Sequence, residues 1–123
     1  EDFYTRRDQM PLLSVVDLWE AQFEVVPSQA FCTTSDWSGN SVGKKTLTSV
    51  RLPESTRYIW SFAFAGCSNL KDVNFTALKN LESLDSYSFE GTNLQVIDLS
   101  NTKLTELYSA LWRCQSDHKH AGD

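Results

Sequence analysis

Two histidines, three cysteines and a scatter of carboxylates are the side chains of this 123-residue chain that could do chemistry. His118 and His120 sit together in the polar tail SDHKHAGD. A general base needs a positioned partner, so imidazoles there read as inert solvated groups or as a weak adventitious metal site. Cys32, Cys67 and Cys114 are far apart and form no C-x-x-C pair, whereas structural metal sites want close-set ligands. Small buried thiols are the first reading. One disulfide with a spare thiol, or metal ligation, are the alternatives. No Ser-His or Cys-His pair can be assembled from core positions. Residues 38–45, SGNSVGKK, lack phosphate-loop spacing, and there is no G-x-G-x-x-G. Asn74-Phe75-Thr76 fits an N-glycosylation acceptor, a match that would mean nothing were the protein bacterial. No catalytic residue, cofactor-binding residue or metal ligand is assigned, and the expectation is a protein that is not an enzyme and uses no cofactor.

Bulk composition narrows the partners. Eleven basic and 16 acidic residues give a net charge of -5. Neutralising phosphates takes clustered Lys and Arg, so no nucleic-acid partner is expected. No apolar run reaches the ~20 residues of a transmembrane helix. A chain that begins with Glu1 reads as a processed protein or a cut fragment, from which any export signal would already be gone.

What must position any functional residue is a repeat. Segments starting at residues 47, 70 and 94 each place apolar residues first, fourth and sixth: Leu47, Val50, Leu52; Leu70, Val73, Phe75; Leu94, Ile97, Leu99. Each adds a later aliphatic (Ile59, Leu84, Leu107) and, five residues on, an aromatic (Phe64, Phe89, Trp112). A stretched fourth copy comes first, with Leu13, Val16, Leu18, then Val26 and Phe31. The expected organisation is one domain over 1–123. It holds about four repeats, 12–46, 47–69, 70–93 and 94–116, followed by a polar tail at 117–123. The first repeat carries an inserted surface loop, residues 33–46, rich in Gly, Ser, Thr, Asn and Lys. One copy buries about six apolar side chains at about 1.5–3 kcal/mol each. That does not offset about 1.5 kcal/mol of ordering per residue, so copies must stack on one another. The LTSVRL segment is then expected as a strand parallel to LKDVNF and LQVIDL. Pro53 ends it, Phe64 plugs the core, and Gly66 and Gly91 mark a tight turn. At the ends, Phe3 or Tyr4 should cover the first repeat. Trp112, or self-association through an open end, should close the last.

The pattern L-x-x-V-x-L-P-x-S and then I-x-x-x-A-F-x-x-C-x-x-L, residues 47–70, resembles leucine-rich repeats of the BspA-like type. The resemblance runs on through 93 and is visible over 12–32 and 94–114. Trp60 departs from it, as does Leu111-Trp112 in place of Ala-Phe. It implies a leucine-rich repeat solenoid of the α/β-horseshoe-like class, rich in β-structure. Short parallel strands would line one face, with irregular turns or short helices on the convex side. Proteins similar to this are exported surface proteins of host-associated bacteria and some parasitic protists. Their repeats are mostly assigned to adhesion and protein binding. The expected location is therefore extracellular or cell-surface, and the expected partner a protein, such as a host extracellular or cell-surface protein.

Strand alternation then selects the outward residues. Three columns follow: Val15, Ser49, Asp72, Val96; Asp17, Arg51, Asn74, Asp98; and Trp19, Pro53, Thr76, Ser100. Interfaces favour Trp and Arg, so the candidate strand face is Trp19 and Arg51 with Asp17, Asn74 and Asp98. Trp37 is the candidate in the inserted loop. A non-catalytic binding or adhesion module is the leading expectation. A spacer or cap presenting another domain, and a carbohydrate-binding module using Trp19 and Trp37, are the alternatives.

Overall fold

Val16, Val50 and Val73 are inward β-branched residues set between outward neighbours, a pattern that makes short, half-buried strands. The computed structural model describes residues 2–107 and 109–114. In it these valines lie in β1 (Val15–Asp17), β5 (Ser49–Arg51) and β7 (Asp72–Val73), which form one parallel sheet in that order. Val16 lies opposite Val50, and Val50 opposite Val73. A second parallel sheet runs β2 (Val25–Val26), β6 (Tyr58–Ile59) and β8 (Ser83–Leu84), with Val26, Ile59 and Leu84 in register. A third pass returns each repeat behind these two. There Phe31 N–H donates to Ala63 O at 2.7 Å, and Phe64 N–H to Ser88 O at 2.7 Å.

The core lies between the three passes. Phe31, Phe64 and Phe89 are fully buried and stacked ring on ring, at 5.5 and 5.0 Å with planes 18° and 8° apart. Leu47, Leu52, Leu70 and Leu94 fill the corners, also fully buried. Gly66 and Gly91 share a φ of 73°, the left-handed region open to glycine. On Gly66 a side chain would also run into the carbonyl of Ser41.

Three details differ from expectation. LTSVRL pairs with LSVVDL on one side and LKDVNF on the other. LQVIDL is the next layer and forms no strand, being joined at its start by Gln95 N–H to Lys71 O, 3.0 Å. Pro53 does not face outward; it is buried, with its carbonyl accepting the Thr56 hydroxyl at 2.8 Å. In the last repeat Leu111, not Trp112, takes the aromatic position. Phe89 N–H donates to Ala110 O, and Gly91 N–H to Trp112 O. The third pass keeps its length, Ala110 N–H donating to Leu107 O as Ala63 N–H does to Trp60 O, so Leu107 falls one place beyond Ile59 and Leu84 while Leu111 falls behind Phe89 and is 6% exposed. Trp112 is displaced to the surface at 48% exposed and does not close the core. Arg113 takes the left-handed position of the two glycines, at φ 56°.

The N-terminal segment forms a helix, α1 (Phe3–Gln9), capped by the Asp2 carboxylate on Thr5 N–H at 2.8 Å. Seven residues make a marginal helix by themselves, so tertiary contacts must hold it. Phe3 meets Phe23 and Phe31 edge-on at 5.3 and 5.8 Å, covering the first repeat. Lys44 is buried, and its ammonium donates to the carbonyls of Met10 (2.7 Å) and Arg7 (3.3 Å) at the helix C-terminus. His118, His120 and the tail 117–123 lie outside the described residues.

Candidate binding surface

On the first sheet, alternation turns Asp17 and Arg51 outward in register, Asp17 lying opposite Arg51 across β1 and β5. Their side chains approach to 3.5 Å, both more than half exposed. The chain leaves β1 through a turn in which Asp17 Oδ1 accepts Trp19 N–H at 3.0 Å. That turn lays the half-buried indole beneath Arg51, whose guanidinium carbon is 4.8 Å from the ring centroid. A carboxylate, a guanidinium and an indole thus form one continuous outward cluster. It borders a cleft of about 500 Å³ lined by Trp19, Glu20, Gln22, Glu54 and Ser55. The exposed Val15 and Val96 lie in the next outward column, with Ser49 and Asp72 between them.

Asn74 and Asp98 are placed differently. The Asn74 carboxamide faces back along the ladder: Oδ1 accepts Leu52 N–H at 2.7 Å and Nδ2 donates to Leu52 O at 2.9 Å. It substitutes for the backbone pairing that β7 no longer supplies, and both ends of the amide are occupied. The Asp98 carboxylate accepts from the Ser100 hydroxyl (2.6 Å) and backbone N–H (3.0 Å). Those bonds hold its pKa below the usual carboxylate range. The structure therefore brings Trp19, Arg51 and Asp17 together and leaves Asn74 and Asp98 apart from them as local clamps.

The inserted loop is a hairpin, β3 (Cys32–Thr34) against β4 (Val42–Gly43), folded over the third pass. Asp36 organises its tip by accepting from Ser38 N–H (2.8 Å) and Ser38 Oγ (2.6 Å), bonds that also lower the Asp36 pKa. Trp37 is 64% exposed, yet one edge is anchored. Its ring lies 4.7 Å from Phe62 and 5.2 Å from Tyr87, and Tyr87 Oη donates to its carbonyl at 2.8 Å. Tyr87 continues the row to Trp112 at 6.4 Å. Sequence reasoning singled out Trp37 alone. The row depends on the loop lying across successive repeats, and no local spacing announces that.

The second sheet carries another feature that sequence reasoning missed. Arg57 spans Glu24 (3.2 Å) and Glu82 (2.7 Å), which raise its pKa, and its guanidinium lies 5.1 Å from the Tyr58 ring. The only sequence signal was an Arg with two glutamates at repeat-like spacing. The thiols are free and buried in all three places. The Cys67 thiol donates to Phe31 O at 3.4 Å, and Cys114 lies 3.4 Å from the Thr92 hydroxyl. Among the described residues no group of three His, Cys, Asp or Glu could hold a metal. No helix there is long and apolar enough to cross a membrane.

The stacked parallel registers match a known repeat. Residues 40–120 fit the family model described as BspA type leucine rich repeat region (6 copies). The chain belongs to the BspA-type leucine-rich repeat family. No curated protein and no solved structure matches the chain. In this BspA-type repeat the recurring frame of Leu, Val, Ala-Phe and Cys lies in the core. Only residues between frame positions remain to distinguish its surface.

Proposed function

We propose that this chain is a non-catalytic protein-binding and adhesion module of an exported, cell-surface leucine-rich repeat protein. In this reading the repeats stack as one solenoid domain, and the face of the first sheet makes the contact. The observation that carries it is the Trp19–Arg51–Asp17 cluster, in which side chains from two repeats form one outward surface. Trp and Arg are the residues that dominate protein interfaces. The guanidinium stays charged, is already held flat by the indole, and loses little freedom on binding. The adjoining cleft offers a recess for a partner side chain.

Binding to immobilised extracellular-matrix and cell-surface proteins should fall at least about tenfold in a Trp19→Ala, Arg51→Ala double variant. Thermal stability should change little, since an exposed cation–π pair contributes about 0.5–1 kcal/mol. Binding that survives this change but is abolished by Trp37→Ala would move the site to the inserted loop. A spacer would bind none of the panel, and a carbohydrate-binding module would instead retain glycans on an array in a Trp-dependent manner.

A further inference from the structure

Two buried polar groups near the inserted loop lack partners. Ser88 and Glu90 are 0% and 1% exposed, and Ser88 Oγ and Glu90 Oε1 have no hydrogen bond. By register Ser88 holds the place of Ala30 and Ala63, in the main core, whereas Glu90 holds the place of Cys32 and Ala65, on the other side of the third pass. There Cys32, Phe62 and Ala65 form a small second apolar cluster with Tyr87 against it. Burial chiefly raises the Cys32 thiol, and the nearby Glu90 carboxylate adds to the rise. A buried acceptor without a donor forfeits its hydration, and a charged one forfeits most. Buried groups of this kind call for a physical explanation.

The loop is built to move as a unit. Its described hydrogen bonds are mostly internal: Thr33 Oγ1 to Val42 O, Asp36 N–H to Ser41 Oγ, and Gly39 N–H to Asp36 O. Two join its body to the repeats behind, Tyr87 Oη to Trp37 O and Gly43 N–H to Gly66 O. Close packing supplies the rest, with Trp37 on Phe62 and Tyr87, Gly39 on Trp112 and Arg113, and Ser41 and Gly43 on Gly66. Both ends are pinned. Arg7 donates to Cys32 O at 3.3 Å, and Lys44 is held by Phe31 O through its backbone and by α1 through its ammonium.

We propose that residues 33–43 are a lid that lifts off the third pass as one piece, its closure opposed by the buried Glu90 carboxylate. Lifting lets Glu90 reach water and bares Phe62, Tyr87 and Cys32, while Trp37 leaves with the lid. Most internal bonds of the loop survive the motion, so the cost is two hydrogen bonds to the repeats and the packing of Trp37, Gly39, Ser41 and Gly43 against them. Such segments belong to the low-stability end of a folded protein.

Alkylation by a small maleimide, followed residue by residue by mass spectrometry, separates lid opening from unfolding. Cys32 lies under the lid and Cys67 in the main core. In the intact chain Cys32 should label at least about tenfold faster than Cys67. Glu90→Gln keeps the shape and removes the charge, and should slow Cys32 labelling about tenfold or more without slowing Cys67. Removing a nearby negative charge would by itself favour the thiolate and quicken labelling, so slowing reports the lid. Tyr87→Phe, which deletes the bond to Trp37, should speed Cys32 labelling. Equal rates for Cys32 and Cys67 in the intact chain would overturn the proposal. So would a Glu90→Gln change that leaves Cys32 unaltered or slows both thiols alike.

Discussion

Cys32 and Cys67 are small apolar residues whose protons the fold retains. Burial raises the Cys32 thiol to about 11 and the Cys67 thiol to about 12, from an ordinary value of 9.0. Below pH 9.0 folded and unfolded chains both keep these protons, and their stabilising effect is fully present. Above it the unfolded chain releases them first, so stability falls as pH rises toward the folded-state values. Urea midpoints measured from pH 8 to 11 should therefore decline, and less steeply in Cys67→Ala than in the parent. Comparing slopes removes the shared contribution of Lys and Tyr. Identical slopes would show that Cys67 is not buried as described. Asn74 makes a second residue-scale point. Its carboxamide completes the ladder at Leu52, so both its ends are engaged in the fold and not offered to a partner.

The recurring element is a three-pass turn of chain whose third pass carries the aromatic. Phe64 lies between Phe31 and Phe89 in a continuous stack, touching both. Phe64→Ala removes the middle of that stack and leaves a cavity that three repeats share. The expected loss is about 3–5 kcal/mol, in the range for a fully buried aromatic, read from chemical denaturation. Trp112→Ala serves as the contrast. Its ring is about half exposed and outside the core, so the loss should stay near 1 kcal/mol or below. Equal losses for the two would mean that the last repeat is registered on Trp112 after all, with Leu111 outside.

At the scale of the molecule, the question is how a short stack protects its ends. The first repeat is covered by α1, through Phe3 on Phe23 and Phe31 and through the Lys44 ammonium on the helix C-terminus. Phe3 is half-buried, so Phe3→Ala should cost about 2 kcal/mol, below the range of about 3–5 for full burial. Removing residues 1–10 altogether should bare Phe23 and Phe31 as well. Light scattering should then show concentration-dependent association that the parent lacks. A truncated chain as stable and as monodisperse as the parent would assign the covering role elsewhere.

The sequence by itself determined the repeat. Its apolar columns recur at 23 and 24 residues because each copy must fill the same corner positions of one shared core. Val50, Leu52, Ile59, Phe64 and Phe89 are buried as their spacing requires. Alternation along β1 and β5 also sufficed to turn Asp17 and Arg51 outward, with Trp19 beside them. Register in the last copy was beyond it, because Leu111 and Trp112 are both apolar, and only the hydrogen bonds from Phe89 and Gly91 decide between them. The role of Asn74 was beyond it too, since an amide that clamps a backbone looks in sequence like an amide that faces solvent. The path of the inserted loop was the largest gap. Its polar composition marks it as surface. Which surface it covers depends on Gly43 meeting Gly66 and Trp37 meeting Phe62 and Tyr87, contacts between residues that are distant in the chain. Burial of Glu90 follows from that path. Periodicity reports what each repeat does to its neighbour, whereas an insertion has no repeat partner and is placed by tertiary contacts alone.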